Sequence, residues 1–66
     1  MDIHFSERFK CLRSFAKLTQ ADVAAKLGVS AQAVSKWECG RNLPDLCLLP
    51  EIADMFGVTI DKLFRD

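Results

Sequence analysis

The sequence predicts an all-α domain of five short helices in one 66-residue unit. Apolar residues recur at spacings of three and four, period-two alternation is absent, and Gly28, Gly40 and Gly57 punctuate the pattern at the ends of apolar stretches. A chain this short buries only about 60% of the surface its unfolded form exposes, so nearly all its apolar side chains belong to a single core.

Phe5, Phe9, Leu12 and Ala16 form one stripe and predict a first helix from about Ser6 to Ala16, with Phe15 beside the stripe and half covered. Thr19 starts the second helix, because its side-chain oxygen accepts an orphan N–H while Asp22 complements the positive end of the helix dipole. Val23, Ala24 and Leu27 are its inner face, and Gly28 stops it in a left-handed conformation. Ser30 caps a third helix that buries Val34 and Trp37 and ends at Gly40. The turn between them is only Gly28-Val29, so these helices cross steeply, and Ala24 has the small side chain a close crossing needs.

Asn42-Leu43-Pro44-Asp45 is turn chemistry, with Asp45 as the expected cap of a fourth helix running to Phe56. Pro50 deletes a hydrogen bond if it lies beyond the first turn, so either residues 46–49 form a loose turn or the regular helix starts near Leu49. Gly57 ends this helix, and Thr59 caps a fifth through Ile60, Leu63 and Phe64.

Composition narrows the functions. No run approaches the roughly 20 apolar residues of a membrane span. MDIHFSERFK has no basic leader, apolar stretch or cleavage site, so neither membrane insertion nor export is expected. Cys11, Cys39 and Cys47 are odd in number and lack CxxC spacing, with only His4 as a fourth ligand; a disulfide framework, a metal site and a cofactor are not expected, and a reducing cytoplasm fits. With one histidine, no glycine-rich phosphate loop and no clustered nucleophile, an enzyme is not expected either. Net charge is zero but unevenly spread: +1 over residues 1–16, +2 over 17–44 and −3 over 45–66. One end can face an anion that the other repels.

The stretch Gln20–Cys39 reads as a helix-turn-helix, and LTQADVAAKLGVS, AVSKWECGRNLPD and IADMFGVTIDKLF follow in order. In these segments the chain resembles the phage repressor and Cro-like (XRE-type) DNA-binding family. The resemblance implies a five-helix lambda-repressor-like domain over residues 1–66, with the motif at 20–39. Three positions depart from the family pattern. Lys17 stands where a glycine usually ends the first helix, Phe15 occupies a usually polar position, and Cys39 stands where a polar or basic residue is common.

In this motif the second element enters the major groove and its N-terminal residues meet base edges. With Val34 and Trp37 inward, Ala31, Gln32, Ser35 and Lys36 face out. Gln32 suits adenine N6 and N7, Lys36 suits guanine O6 and N7, Ala31 packs on a thymine methyl, and Ser35 serves a base or a phosphate. The resemblance makes Gln20 a clamp on the DNA backbone and a brace for Gln32, with Ser30, Arg41 and Asn42 as further phosphate neighbours, and pairs Arg13 with Glu38 as a structural link between the first and third helices. It implies a sequence-specific transcription regulator that binds double-stranded DNA, a repressor acting as a homodimer on a palindromic operator. Met55, Leu63 and Phe64 are the candidate dimer surface, and Phe15 is an outlying one. The alternative is a protein-interaction module or antitoxin-type regulator on the same fold, for which the neutral net charge speaks.

Overall fold

The computed structural model describes residues 5–64. The helices are α1 (Phe5–Phe15), α2 (Gln20–Leu27), α3 (Ala31–Glu38) and α4 (Leu49–Phe56), with 3-10 turns at Leu46–Leu48 and Asp61–Leu63. Among the described residues no helix is long and apolar enough to cross a membrane.

The architecture is all-helical, but the expected fifth helix is one 3-10 turn. Lys62, Leu63 and Phe64 donate their N–H groups to the carbonyls of Thr59, Ile60 and Asp61, every bond spanning three residues. The first turn of an i→i−4 ladder is costly to nucleate, and these residues close the tighter i→i−3 bonds instead. Thr59 still acts as expected of a cap, its hydroxyl accepting the Lys62 N–H at 3.3 Å.

The fourth helix combines the two alternatives. Leu46–Leu48 form the turn and α4 begins at Leu49, which puts Pro50 in the first turn, where no N–H is needed. Asp45 is not the expected side-chain cap: its backbone carbonyl takes the Leu48 N–H at 2.9 Å, and its carboxylate makes no capping bond.

The core gathers Phe5, Phe9, Val23, Leu27, Val34, Trp37, Leu49, Ile52 and Leu63 around the small Ala24 and Ala53. Phe9 lies at its centre, with edge-on contacts to Trp37 (5.7 Å) and Phe56 (5.5 Å) and a tilted contact to Phe5 (5.5 Å). Each such pair adds about 0.5–1.5 kcal/mol beyond the area it buries. Arg8 Nε donates to the Lys62 carbonyl at 3.2 Å and ties the second 3-10 turn to α1.

Two expectations about apolar residues change. Phe15 is 90% exposed rather than half covered, because it falls outside the α1 stripe set by Phe5 and Phe9. Leu63 is fully buried, and Met55 and Phe64 are half-buried against the core, with the Phe64 ring 5.4 Å from that of Phe5. Leu63 is therefore a core residue rather than a surface for pairing, as a small domain's need for interior apolar volume requires.

All four α-helices end in the same way. Leu18, Val29, Arg41 and Val58 donate back across five residues to the carbonyls of Arg13, Ala24, Lys36 and Ala53. This closure needs a left-handed residue just before the donor, and Gly28, Gly40 and Gly57 supply it at φ of +72°, +77° and +68°. In α1 the residue is Lys17, at φ +61°. Its Cβ crowds the carbonyl there, at about 1–2 kcal/mol.

Lys17→Gly is therefore expected to stabilise the fold by about 1 kcal/mol, which for a domain this small raises the melting temperature by roughly 4–8 °C. A thermal melt by circular dichroism checks it. A second prediction concerns acid. Asp22 Oδ2 accepts the Thr19 N–H at 2.9 Å and Thr19 Oγ1 accepts the Asp22 N–H at 3.0 Å. These bonds, the one from the Thr19 backbone first, hold the Asp22 carboxyl below its ordinary value. A carboxylate lowered in the folded state adds stability at neutral pH that is lost as pH falls through the folded value. Melting temperature should fall in this acid range, and Asp22→Asn should flatten the fall.

Candidate nucleic-acid interface

Ser30 starts α3 by accepting the Ala33 N–H on its hydroxyl at 3.1 Å. Val34 and Trp37 are buried, which fixes the rotation of the helix. Ala31, Gln32 and Lys36 are consequently exposed together, while Ser35 is half-buried at the edge of the same face. Arg41 and Asn42, just past the helix, are exposed as well. The result is a polar ridge with two amides, one methyl and two cations, and α3 itself is short enough to lie within one groove.

At the start of α2 the Thr19–Asp22 box uses the N–H groups of Thr19 and Asp22. The N–H groups of Gln20 and Ala21 have no acceptor among the described residues and point out of the positive end of the helix.

The two faces are joined beneath the surface. Arg13 Nε donates to Glu38 Oε2 at 2.5 Å and Nη2 to Oε1 at 3.1 Å, a bidentate pair between α1 and α3. Arg13 Nη1 reaches the Leu18 carbonyl at 2.8 Å. The Gln20 amide nitrogen completes the site by donating to Glu38 Oε1 at 3.2 Å, so its partner is Glu38 and not the expected Gln32. The side chains of Arg13 and Glu38 are 16% and 4% exposed. Hydrogen bonding to Glu38 raises the Arg13 pKa, with burial opposing, so the guanidinium is charged at every accessible pH. The link from Gln20 to Glu38 has no signature in sequence, because it depends on how α2 and α3 cross.

Cys11, Cys39 and Cys47 are free and exposed. Among the described residues no group of three or more histidine, cysteine or acidic side chains is placed to hold a metal, and His4 lies outside them.

A profile of the helix-turn-helix family matches residues 16–63. The chain is 43% identical over 61 residues to the transcriptional activator BcrR of Enterococcus faecalis, covering 92% of this chain and 30% of that protein. It is 37% identical over 57 residues to the cryptic-phage transcriptional repressor RstR of Vibrio cholerae, covering 86% of this chain and 51% of the repressor. Among solved structures, hydroxypropylphosphonic acid epoxidase from S. wedmorenis superposes with a TM-score of 0.84 at 32% identity, over 92% of this chain and 32% of the enzyme. The chain thus spans between about a third and a half of the length of each of these proteins.

The buried pair sets the prediction for this region. The pair is part-buried, so Arg13→Ala or Glu38→Ala strands a charge and should lower stability by at most roughly 3 kcal/mol, the lower end of the cost for a fully buried pair. The double replacement Arg13→Met, Glu38→Met should lose less than either single change, since no charge is left unpaired. Urea unfolding of the three variants measures both.

Proposed function

The chain belongs to the XRE-type helix-turn-helix family, and we propose that it is a sequence-specific, double-stranded-DNA-binding transcription regulator, a repressor that acts as a homodimer on a palindromic operator in the cytoplasm. The observation that carries the reading is the joint exposure of Ala31, Gln32 and Lys36 on α3 opposite buried Val34 and Trp37. Gln32 reads adenine through paired hydrogen bonds, Lys36 reads guanine, Ala31 packs on a thymine methyl, and Ser35 reaches a neighbouring base or phosphate. The free N–H groups of Gln20 and Ala21, with the Gln20 amide, the Ser30 hydroxyl, Arg41 and Asn42, hold phosphates on either side.

Repression is favoured over activation because occupying a promoter needs only DNA affinity, and relatives named as a repressor and as an activator both contain this domain. A single reading helix offers few base contacts, so a second copy one helical turn away supplies selectivity. The segment after α3 must approach its symmetry mate in that arrangement, and it carries the exposed Leu43 and Leu46. Three free thiols fit a reducing compartment. The chain is read as a binding domain rather than a catalyst, since its sequence contains a single histidine and no phosphate-cradling loop.

The second reading, a protein-docking module, is favoured by the exposed Phe15 and Leu46. It predicts partner affinity without the steep salt dependence of phosphate contacts.

Selection of bound sequences from random duplexes tests the proposal: an inverted repeat with half-sites about ten base pairs apart is expected. On the selected site, Gln32→Ala and Lys36→Ala should each lose about 1–3 kcal/mol of discrimination against random DNA. Equal loss on both duplexes would make them backbone contacts, and enrichment of no sequence would reject the reading.

A further inference from the structure

Gln20 stands at the first position of α2, where the phosphate contact is proposed, and Glu38 at the last position of α3, the helix proposed to read bases. The two side chains meet at 3.2 Å. A carboxylate only accepts hydrogen bonds, so the Gln20 amide must turn its nitrogen toward Glu38. That choice uses one N–H and leaves the second N–H and the carbonyl oxygen without partners among the described residues. Arg13 neutralises the carboxylate and engages both its oxygens, so Glu38 holds the amide without presenting an unpaired negative charge to a phosphate.

Resting on the DNA reading above, we propose that Glu38 is a positioning residue for DNA binding: it fixes the Gln20 amide before DNA arrives and sets the phosphate clamp of α2 in register with the bases met by α3. A free glutamine side chain has one of the largest rotamer entropies, and ordering it at the interface would weaken binding. Glu38 removes most of that loss in the unbound protein. It also makes the clamp and the reading helix one mechanical unit, because the same carboxylate is rooted in α3 and held by α1. The ion pair therefore has a role in recognition beyond stability.

The test is a double-mutant cycle on duplex affinity with the full chain, using Gln20→Ala, Glu38→Gln and the double variant, at a temperature where circular dichroism shows each folded. Losing a hydrogen bond to a charged phosphate lowers affinity about tenfold. Each single change should do so, and the double should bind no worse than the weaker single. Additive losses, about a hundredfold in the double, overturn the proposal. Should Glu38→Gln fail to fold, the unbound parent protein decides. The two Gln20 side-chain amide protons should be dispersed in its NMR spectrum, whereas those of exposed Gln32 should sit at free-glutamine positions. Coincident Gln20 and Gln32 signals overturn the proposal. If Gln20→Ala binds normally while Gln32→Ala and Lys36→Ala bind weakly, positioning is wrong and the DNA reading stands. If the parent binds no duplex, both fall.

Discussion

Glu38 ends α3 with only 4% of its side chain exposed, and a charge so placed is tolerated because both carboxylate oxygens accept hydrogen bonds from α1 and α2. The geometry is demanding. Arg13 must approach as a flat fork, which sets the separation and rotation of α1 against α3, and its Nη1 must find the Leu18 carbonyl in the connection to α2. Three helices and one loop thus meet at a single ion pair. Apolar packing around Phe9 tolerates small adjustments of angle, whereas these directional bonds do not.

The aromatic cluster and the ion pair divide the task between them. Phe9, Phe56 and Trp37 supply cohesion at the centre, and Trp37 is the residue through which α3 shares in it. Trp37 and Glu38 are adjacent on α3, so one turn of helix is anchored both by dispersion and by charge. The exposed face that begins with Ala31 and Gln32 projects from the other end of that anchored helix. A stiff root and an accessible tip suit the proposed role of α3, entry into a groove without rearranging.

Much of this was legible in the sequence because it is local. The Thr19 and Ser30 caps, the Gly28 and Gly57 stops, and the stripes of Val23-Ala24-Leu27 and Val34-Trp37 all follow from spacing and side-chain chemistry within one turn of helix. The outward face of α3 follows as the complement of its buried face. Misreadings came where tertiary context decided. Thr59 reads like the start of a helix, but the residues after it close only i→i−3 bonds. Asp45 reads as a cap, yet the 3-10 turn before Pro50 takes its backbone instead. Met55, Leu63 and Phe64 read as surplus apolar surface at the end of the domain, but sequence does not say what covers an apolar side chain, and here the core covers Leu63 fully and the other two in part. The Gln20–Glu38 bond joins residues eighteen apart with no pattern between them.

The connection between α2 and α3 is Gly28, Val29 and the cap Ser30, with Val29 half-buried and the Val29 N–H bonded back to Ala24. Successive residues of an α-helix are turned by about 100°. One residue inserted between Gln32 and Val34 would therefore swing the face of Gln32 away from its present direction while Val34 and Trp37 kept theirs. Loss or gain of a codon here is a change of rotational phase rather than of length. The stretch from Cys39 to Leu48 contains only one 3-10 turn and is largely exposed, so it can accept such changes without rotating α3. Length variation among chains built on this plan should accordingly gather after α3 and avoid its first turn.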